Sequence, residues 1–562
     1  MAASLSPALL PSPAPLPDSA NDRMPSNFPI AALDLAIIGG YFLIVFAIGY
    51  VIAKRTETGD DLFLAGRSLA WGAIGFSLFA SNISSTTLIG LAGSAYTTGL
   101  AVSNYEWMAG VVLVFMAIFL IPFFIRSQIS TIPEYLEKRF DVRSRKYFSA
   151  LTIFTSVVID TAGGIYAGTI VIQTFFPDLI PAFGPELDFY TVCFILALIA
   201  GIYTAAGGLA AVVYTDIMQA VILIIGSIMI TYYTFEQFDF SWAQATAQLP
   251  QGHLDLIKPI DDDSLPWLGT LIGVPILGFY YWGLNQYIVQ RILGAKDLKN
   301  ARWGAMLGGG LKLLPLFIMV LPGAFAYTLY PELPNGDMVF PTLVTDLLPV
   351  GIVGIVLAGL VAAIMSSIDS TLNSASTLIV IDFVKPSKPD ITPEDTARIG
   401  RYTTFTLMLF AALWAPQIRE FPGIWDYLQQ MLSFLVPPVV AIFLLGIFWQ
   451  RVNGTAAFGT LLGGHVLSLC VFLLSTDGLI FENAVIDLHF TIIAGILTFL
   501  CMGLVVFFTL ATDEEPTAEQ LDDLTWSGRA VEVKEDLPFY QDYRIQAAFV
   551  LSLTVAMLVV FW

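Results

Sequence analysis

Phe79-Ala80-Ser81-Asn82-Ile83-Ser84-Ser85-Thr86-Thr87-Leu88-Ile89-Gly90 is the stretch on which the reading of this chain turns. Apolar sequence flanks it, from Leu69 to Phe79 and from Leu88 onward. The whole span is long enough to cross a bilayer, which places the polar run inside the membrane. Polar groups are costly there, so the default reading is a working site that faces the protein interior. Hydroxyls and amides also satisfy a helix that interrupts its own hydrogen-bond ladder. A helix broken at mid-membrane presents carbonyls and helix ends to cations and polar solutes.

Composition supports that frame. Of 562 residues, 56% are hydrophobic and only 12% are charged, where a soluble domain carries about 25% charged residues. Mean hydropathy is +0.76. Apolar runs recur from end to end, so the expected class is an all-α polytopic membrane protein. The net charge of −20 argues against nucleic acid as a partner. Cys193, Cys470 and Cys501 all lie in apolar spans, and His253, His465 and His489 form no metal cluster with them. Gly-Lys does not occur, which excludes a Walker loop and direct drive by ATP within the chain.

Fourteen spans are expected, at about 32–54, 69–96, 101–126, 146–176, 187–205, 209–236, 266–292, 303–330, 346–384, 398–417, 424–449, 455–475, 486–511 and 543–562. With the N-terminus outside, 21 of the 25 Lys and Arg residues lie on the inner side, the exceptions being Arg23, Lys258, Arg419 and the intramembrane Lys312. That asymmetry makes both termini extracytoplasmic, and the expected location is a bacterial-type inner (plasma) membrane, crossed many times. Residues 1–30 read as a disordered tail, with Met24 as a second candidate start. A transporter domain covers 31–511, an acidic cytoplasmic linker 512–541, and a last transmembrane helix 542–562.

Other spans carry unusual polarity. The third holds Tyr105-Glu106-Trp107, the eighth Lys312, and the seventh Gly278-Phe279-Tyr280-Tyr281-Trp282-Gly283-Leu284-Asn285-Gln286. Glu106 and Lys312 can neutralise each other as a structural pair, bond the hydroxyls of a substrate, or do both. Tyr280, Tyr281 and Trp282 either stack on a flat solute or pack within the bundle. In the ninth span Ser366, Asp369, Ser370 and Asn373 recur at i, i+3, i+4 and i+7. A one-sided row of oxygen groups suits a hard cation, whereas the same residues also serve to pack helices. The second and seventh spans, both interrupted and five apart, carry the pattern of an inverted-repeat transporter.

These residues resemble the sodium/solute symporter family, and within it the sodium/glucose cotransporter branch, including bacterial sodium/galactose transporters. The matching stretches are Asp61-Leu-Phe-Leu-Ala-Gly-Arg67, Ala80-Ser-Asn-Ile83, Tyr105-Glu106-Trp107, Thr131-Ile-Pro-Glu-Tyr135, Gly207-Gly-Leu-Ala-Ala-Val-Val-Tyr-Thr-Asp216, Tyr280-Tyr-Trp-Gly283, Ser366-Ser367, Tyr427-Leu-Gln429 and Phe448-Trp-Gln-Arg-Val-Asn453. The resemblance implies a LeuT-like 5+5 inverted-repeat core over about 69–449. It implies a sodium site from the carbonyls of Ala80, Ile83 and Ala363 with the hydroxyls of Ser366 and Ser367. A second site in some members implies Asp216, Asp369 and Ser370. Implied substrate contacts are Asn82, Glu106, Lys312 and Gln429, with Tyr281 as the inner gate and Trp282 beside it. Thr87, Ala109 and Gly278 replace larger or more polar groups of the galactose-type pattern, so Thr87 marks a changed substrate contact.

The expected activity is sodium-coupled import of a neutral, hexose-like sugar by alternating access, with no enzymatic activity. The alternatives are a symporter for a polyol or inositol, a monocarboxylate or an amino acid. From a different class, a membrane sensor or channel remains, although the cytoplasmic segments are short for a signalling domain.

Overall fold

The computed structural model describes residues 30–53, 67–129, 131–176, 185–204, 209–388, 390–475, 485–526 and 538–561. Residues 1–29, with most of the expected tail and Met24, lie outside the described residues. So do residues 54–66, with all but Arg67 of the first matching stretch.

The described chain is a helical bundle. Its main elements are α1 (Ala32–Ala53), α2 (Trp71–Asn82), α3 (Ser85–Thr98), α4 (Leu100–Arg126), α5 (Val142–Phe175), α6 (Pro185–Thr204), α7 (Leu209–Glu236), α8 (Val274–Gly283) and α9 (Gln286–Leu293). There follow α10 (Leu298–Leu329), α11 (Ile352–Leu378), α12 (Pro393–Trp414), α13 (Ile424–Leu435), α14 (Pro437–Phe448), α15 (Gly454–Ser475), α16 (Phe490–Ala511) and α17 (Tyr543–Val560). Helices occupy each of the fourteen expected positions. Among the described residues, seven are long and apolar enough to cross a membrane alone, or nine if each bent pair counts as one span. Of the other expected spans, three are represented by shorter apolar helices, Ala32–Ile44, Asp188–Leu198 and Val221–Glu236, the seventh is broken, and the tenth lies in the less apolar helix Pro393–Trp414.

The two bent pairs have sequence causes. α2 and α3 meet at 59° across Ile83-Ser84, where the polar run takes over the bonds that a continuous helix would make. α13 and α14 meet at 54° at Pro437-Pro438, because proline has no N–H to give and its ring clashes with the preceding turn.

Small residues set how closely α2 and α10 run together. A Cβ on Gly304 would stand 2.5 Å from Ile74, and one on Gly75 would stand 2.6 Å from Leu307. Close backbone approach of this kind is how membrane helices gain packing energy without a hydrophobic drive. The contact continues up both helices and brings Lys312 to Asn82. At its N-terminal end α11 is capped by α1: Asp34 accepts from the N–H groups of Gly351 and Gly354, at 2.7 and 2.8 Å. That satisfies two of the orphan donors at the helix start.

Buried apolar side chains form two large clusters, one around α3, α10 and α11 and one around α4, α8 and α14. Tyr105, Leu428 and Met431 pack against both. The seam between the clusters is where the polar cavity lies.

The acidic stretch after α16 is only partly a linker. Trp526 donates its backbone N–H to the Ile447 carbonyl at 2.8 Å, and its ring packs against Phe119, Phe123 and Phe448. The Tyr135 hydroxyl donates to the Leu524 carbonyl at 2.8 Å. Leu524 and Trp526 anchor a run that its charge alone marks as solvated. Residues 527–537 lie outside the described residues.

Candidate functional site

The break between α2 and α3 is held by rerouted hydrogen bonds. The Ser84 N–H donates to the Asn82 carbonyl at 2.9 Å, and the Thr87 N–H donates to the Ser84 hydroxyl at 3.3 Å. In an unbroken helix those two donors would serve the carbonyls of Ala80 and Ile83. The rerouting therefore spends the helical donors of both carbonyls elsewhere. The Thr87 hydroxyl donates back to the Asn82 carbonyl across the break, so its proton is used in shaping the turn.

Two cavities flank this break. The larger is lined by Asn82, Thr87, Glu106, Tyr281, Trp282 and Gln429, together with Asp160, Trp425 and Thr371. It leaves about 100 Å³ open to the centres of water-sized molecules. The smaller is lined by Ala80, Ile83, Ala363, Ser367 and Ser370, with Gln219, Tyr287 and Arg291 completing its wall, and leaves about 20 Å³.

Most of the residues singled out in the sequence thus fall into two neighbouring groups. Lys312 does not line the larger cavity. It is fully buried behind it, where it donates to Asn82 and, at 2.5 Å, to Glu106. Its ammonium stands 5.1 Å from the Trp282 ring centre, within cation–π range. Lys312 therefore acts on the cavity through Asn82 and Glu106.

On α11 the cavity-facing row is Ala363, Ser367 and Ser370, with Thr371 towards the larger space. Asp369 is buried and lines neither cavity. At about 100° per residue it sits roughly 160° around the helix from Ser367. The Ser366 and Asp216 side chains lie outside the described residues, as does that of Asn373.

Among the cavity residues not singled out in the sequence, Asp160, Trp425 and Tyr287 matter most to the chemistry. Asp160 stands in an apolar span, and an acid in such a span was the available signal. Trp425 carries an indole N–H with no hydrogen bond among the described residues. Tyr287 follows the break in the seventh span and bonds Tyr281, hydroxyl to hydroxyl, at 2.7 Å. Neither aromatic stands out in a chain this rich in aromatic residues.

A bundle of membrane-crossing helices, two broken spans and a cavity with polar side chains at the first break define a polytopic membrane transporter of the LeuT-like inverted-repeat class. Residues 62–464 match the sodium:solute symporter family, and the chain belongs to that family. It is a sodium-coupled solute symporter, and the family's members are transporters rather than enzymes.

Among relatives, human sodium/myo-inositol cotransporter 2 is 34% identical over 557 residues, covering 90% of this chain and 80% of that one. Zebrafish (Danio rerio) sodium/glucose cotransporter 4 is 33% identical, covering 90% and 82%. Rabbit (Oryctolagus cuniculus) sodium/glucose cotransporter 1 is 34% identical, covering 78% and 71%. A Na+-coupled sialic acid symporter in a substrate-bound outward-open state shares the fold, with a TM-score of 0.71 at 24% identity, covering 87% and 100%. The nucleobase-cation-symport-1 family transporter Mhp1, closed around bromovinylhydantoin, gives a TM-score of 0.51 at 13% identity, covering 85% and 99%.

Proposed function

We propose that this symporter imports a neutral polyhydroxylated ring, a hexose in the first instance, with sodium by alternating access. The observation that carries this reading is the set of polar side chains on the wall of the larger cavity. Lys312, behind the cavity, is paired with Glu106, and a second carboxyl group, Asp160, stands on the wall, so the lining offers no net positive charge. A carboxylate cargo needs a net cationic wall, so this balance disfavours monocarboxylates. A ring with several hydroxyls finds acceptors in Glu106 and Asp160, an amide in Gln429 and a free donor in the Trp425 indole. Tyr281 and Trp282 supply apolar faces for the ring's C–H side.

Sodium occupies the smaller cavity, bound by the carbonyls of Ala80, Ile83 and Ala363 and the hydroxyls of Ser366 and Ser367. Those are oxygen groups only, as a hard cation requires. Asp216, Asp369 and Ser370 are the residues that a second ion would use, but Ser370 lines the smaller cavity itself and Asp369 lines neither cavity. Basic loops face the cytoplasm, and both termini lie outside.

The second reading is inositol, favoured by the similarity to myo-inositol cotransporters as well as glucose cotransporters. The test is uptake of labelled D-glucose, D-galactose, myo-inositol and a monocarboxylate into proteoliposomes, with and without an inward sodium gradient. Sodium-dependent uptake of a neutral ring is expected. Uptake of the monocarboxylate alone overturns the reading, and a preference for myo-inositol over both hexoses selects the second.

A further inference from the structure

Ser81, Tyr287 and Ser367 line both cavities. The Ser81 hydroxyl is turned back onto the Ser77 carbonyl at 2.7 Å, and Ser367 is already assigned to sodium. Tyr287 is left as a link between the two spaces. It lies in the first turn of α9, just past the interruption at Leu284-Asn285, whereas Tyr281 ends α8 just before it. Their hydroxyl pair therefore spans the break in the seventh span. Arg291 fixes α9 in place: its Nε donates to the Ser77 hydroxyl of α2 at 3.0 Å, and its NH1 donates to the Tyr287 carbonyl.

Either hydroxyl of the pair can donate. We propose that Tyr287 is a positioning residue through which sodium in the smaller cavity sets the hydrogen-bonding state of Tyr281 in the larger one. A cation on the small-cavity side attracts the Tyr287 oxygen and turns its proton away, towards Tyr281. An O–H group polarised in this way donates more strongly. Tyr281 then accepts from Tyr287, its ring is held over the larger cavity, and its own proton faces the cargo. When sodium leaves, the pair loses its direction, Tyr281 loses a fixed donor to the cargo, and its ring is released. This inference rests on the sodium-symport reading above and adds the side chain that joins the two sites.

The test uses the purified full-length chain with Tyr287→Phe, Tyr281→Phe and the double variant. Binding of D-glucose and myo-inositol is measured with and without sodium. In the wild type, sodium raises cargo affinity. In Tyr287→Phe that enhancement falls about three- to tenfold, the loss of one hydrogen bond, while binding at saturating sodium shows that the protein is folded. Tyr281→Phe cuts the same bond from its other end and loses the same enhancement, which keeps the inference testable if Tyr287→Phe does not fold. The double variant loses no more than either single one. Undiminished enhancement in a folded single variant, or additive losses in the double variant, overturns the coupling role of Tyr287 and leaves the symport reading standing. Absence of sodium enhancement in the wild type overturns the symport reading itself, and this inference with it.

Discussion

A lysine with no exposed surface survives inside a membrane protein only if its charge is matched. Lys312 is matched by Glu106 at 2.5 Å and by the Asn82 side-chain oxygen. Removing one partner of a buried pair costs about 3–5 kcal/mol, because the other charge is left uncompensated. Glu106→Ala should therefore abolish uptake and also lower the thermal unfolding midpoint. Glu106→Gln keeps an acceptor for Lys312 and should recover part of the stability loss. Uptake retained in Glu106→Ala would point to a different cargo pocket. Ser367 is a cleaner probe, because its loss leaves no buried charge behind. Ser367→Ala removes one oxygen from the proposed sodium shell. It should raise the sodium concentration for half-activation about tenfold, the equivalent of ~1.4 kcal/mol. The ratio of glucose to myo-inositol uptake should stay the same. Unchanged sodium activation refutes the site.

Elements bring these residues together, and they were unevenly legible. The polar run at 81–87 announced the break between α2 and α3, because a bilayer-length apolar span has no other use for so many hydroxyls. The cavity-facing row on α11 was harder to read. Polar periodicity favoured Ser366, Asp369, Ser370 and Asn373, whereas Ala363, Ser367 and Ser370 line the smaller cavity. An alanine that contributes through its carbonyl leaves no trace in side-chain polarity. Asp337 was also missed, since it lies in a loop between spans. It is buried and accepts from the Ile424 N–H at the start of α13, at 3.0 Å, and from the Tyr166 hydroxyl of α5 at 3.2 Å. Burial pushes its carboxyl up from 3.8 to about 7, with neighbouring Asp426 adding to the rise and those two bonds opposing it. The folded protein thus holds a proton there that the unfolded chain releases at lower pH. Its contribution to stability should fall as pH rises from about 4 to 7 and then level off. Asp337→Asn should abolish that slope. Thermal unfolding in detergent checks this: a wild-type minus variant difference that stays flat across the window contradicts it.

The molecule as a whole works as an energy converter, and its sodium-to-cargo ratio fixes what it can achieve. The class was legible from composition and span polarity, because the bilayer forces long apolar helices and makes every exception informative. The stoichiometry was not, because it depends on which oxygens share one small space. That space leaves about 20 Å³ for centres of water-sized particles, and a single water needs roughly 10–15 Å³ by the same measure. One ion fits. Asp369, implied for a second ion by the family resemblance, lines neither cavity. One sodium per cargo is therefore expected. An ion entering down ~100 mV contributes about 2.3 kcal/mol, and a tenfold gradient adds about 1.4 kcal/mol. Together they support accumulation of roughly several hundredfold for one ion, and the square of that for two. In proteoliposomes under those gradients, accumulation of a neutral cargo should stop at the one-ion limit. The reversal potential should correspond to one charge per cargo, and Asp216→Ala should leave that ratio unchanged. A ratio of two, reduced to one by Asp216→Ala, would overturn the expectation and place a second ion at Asp216.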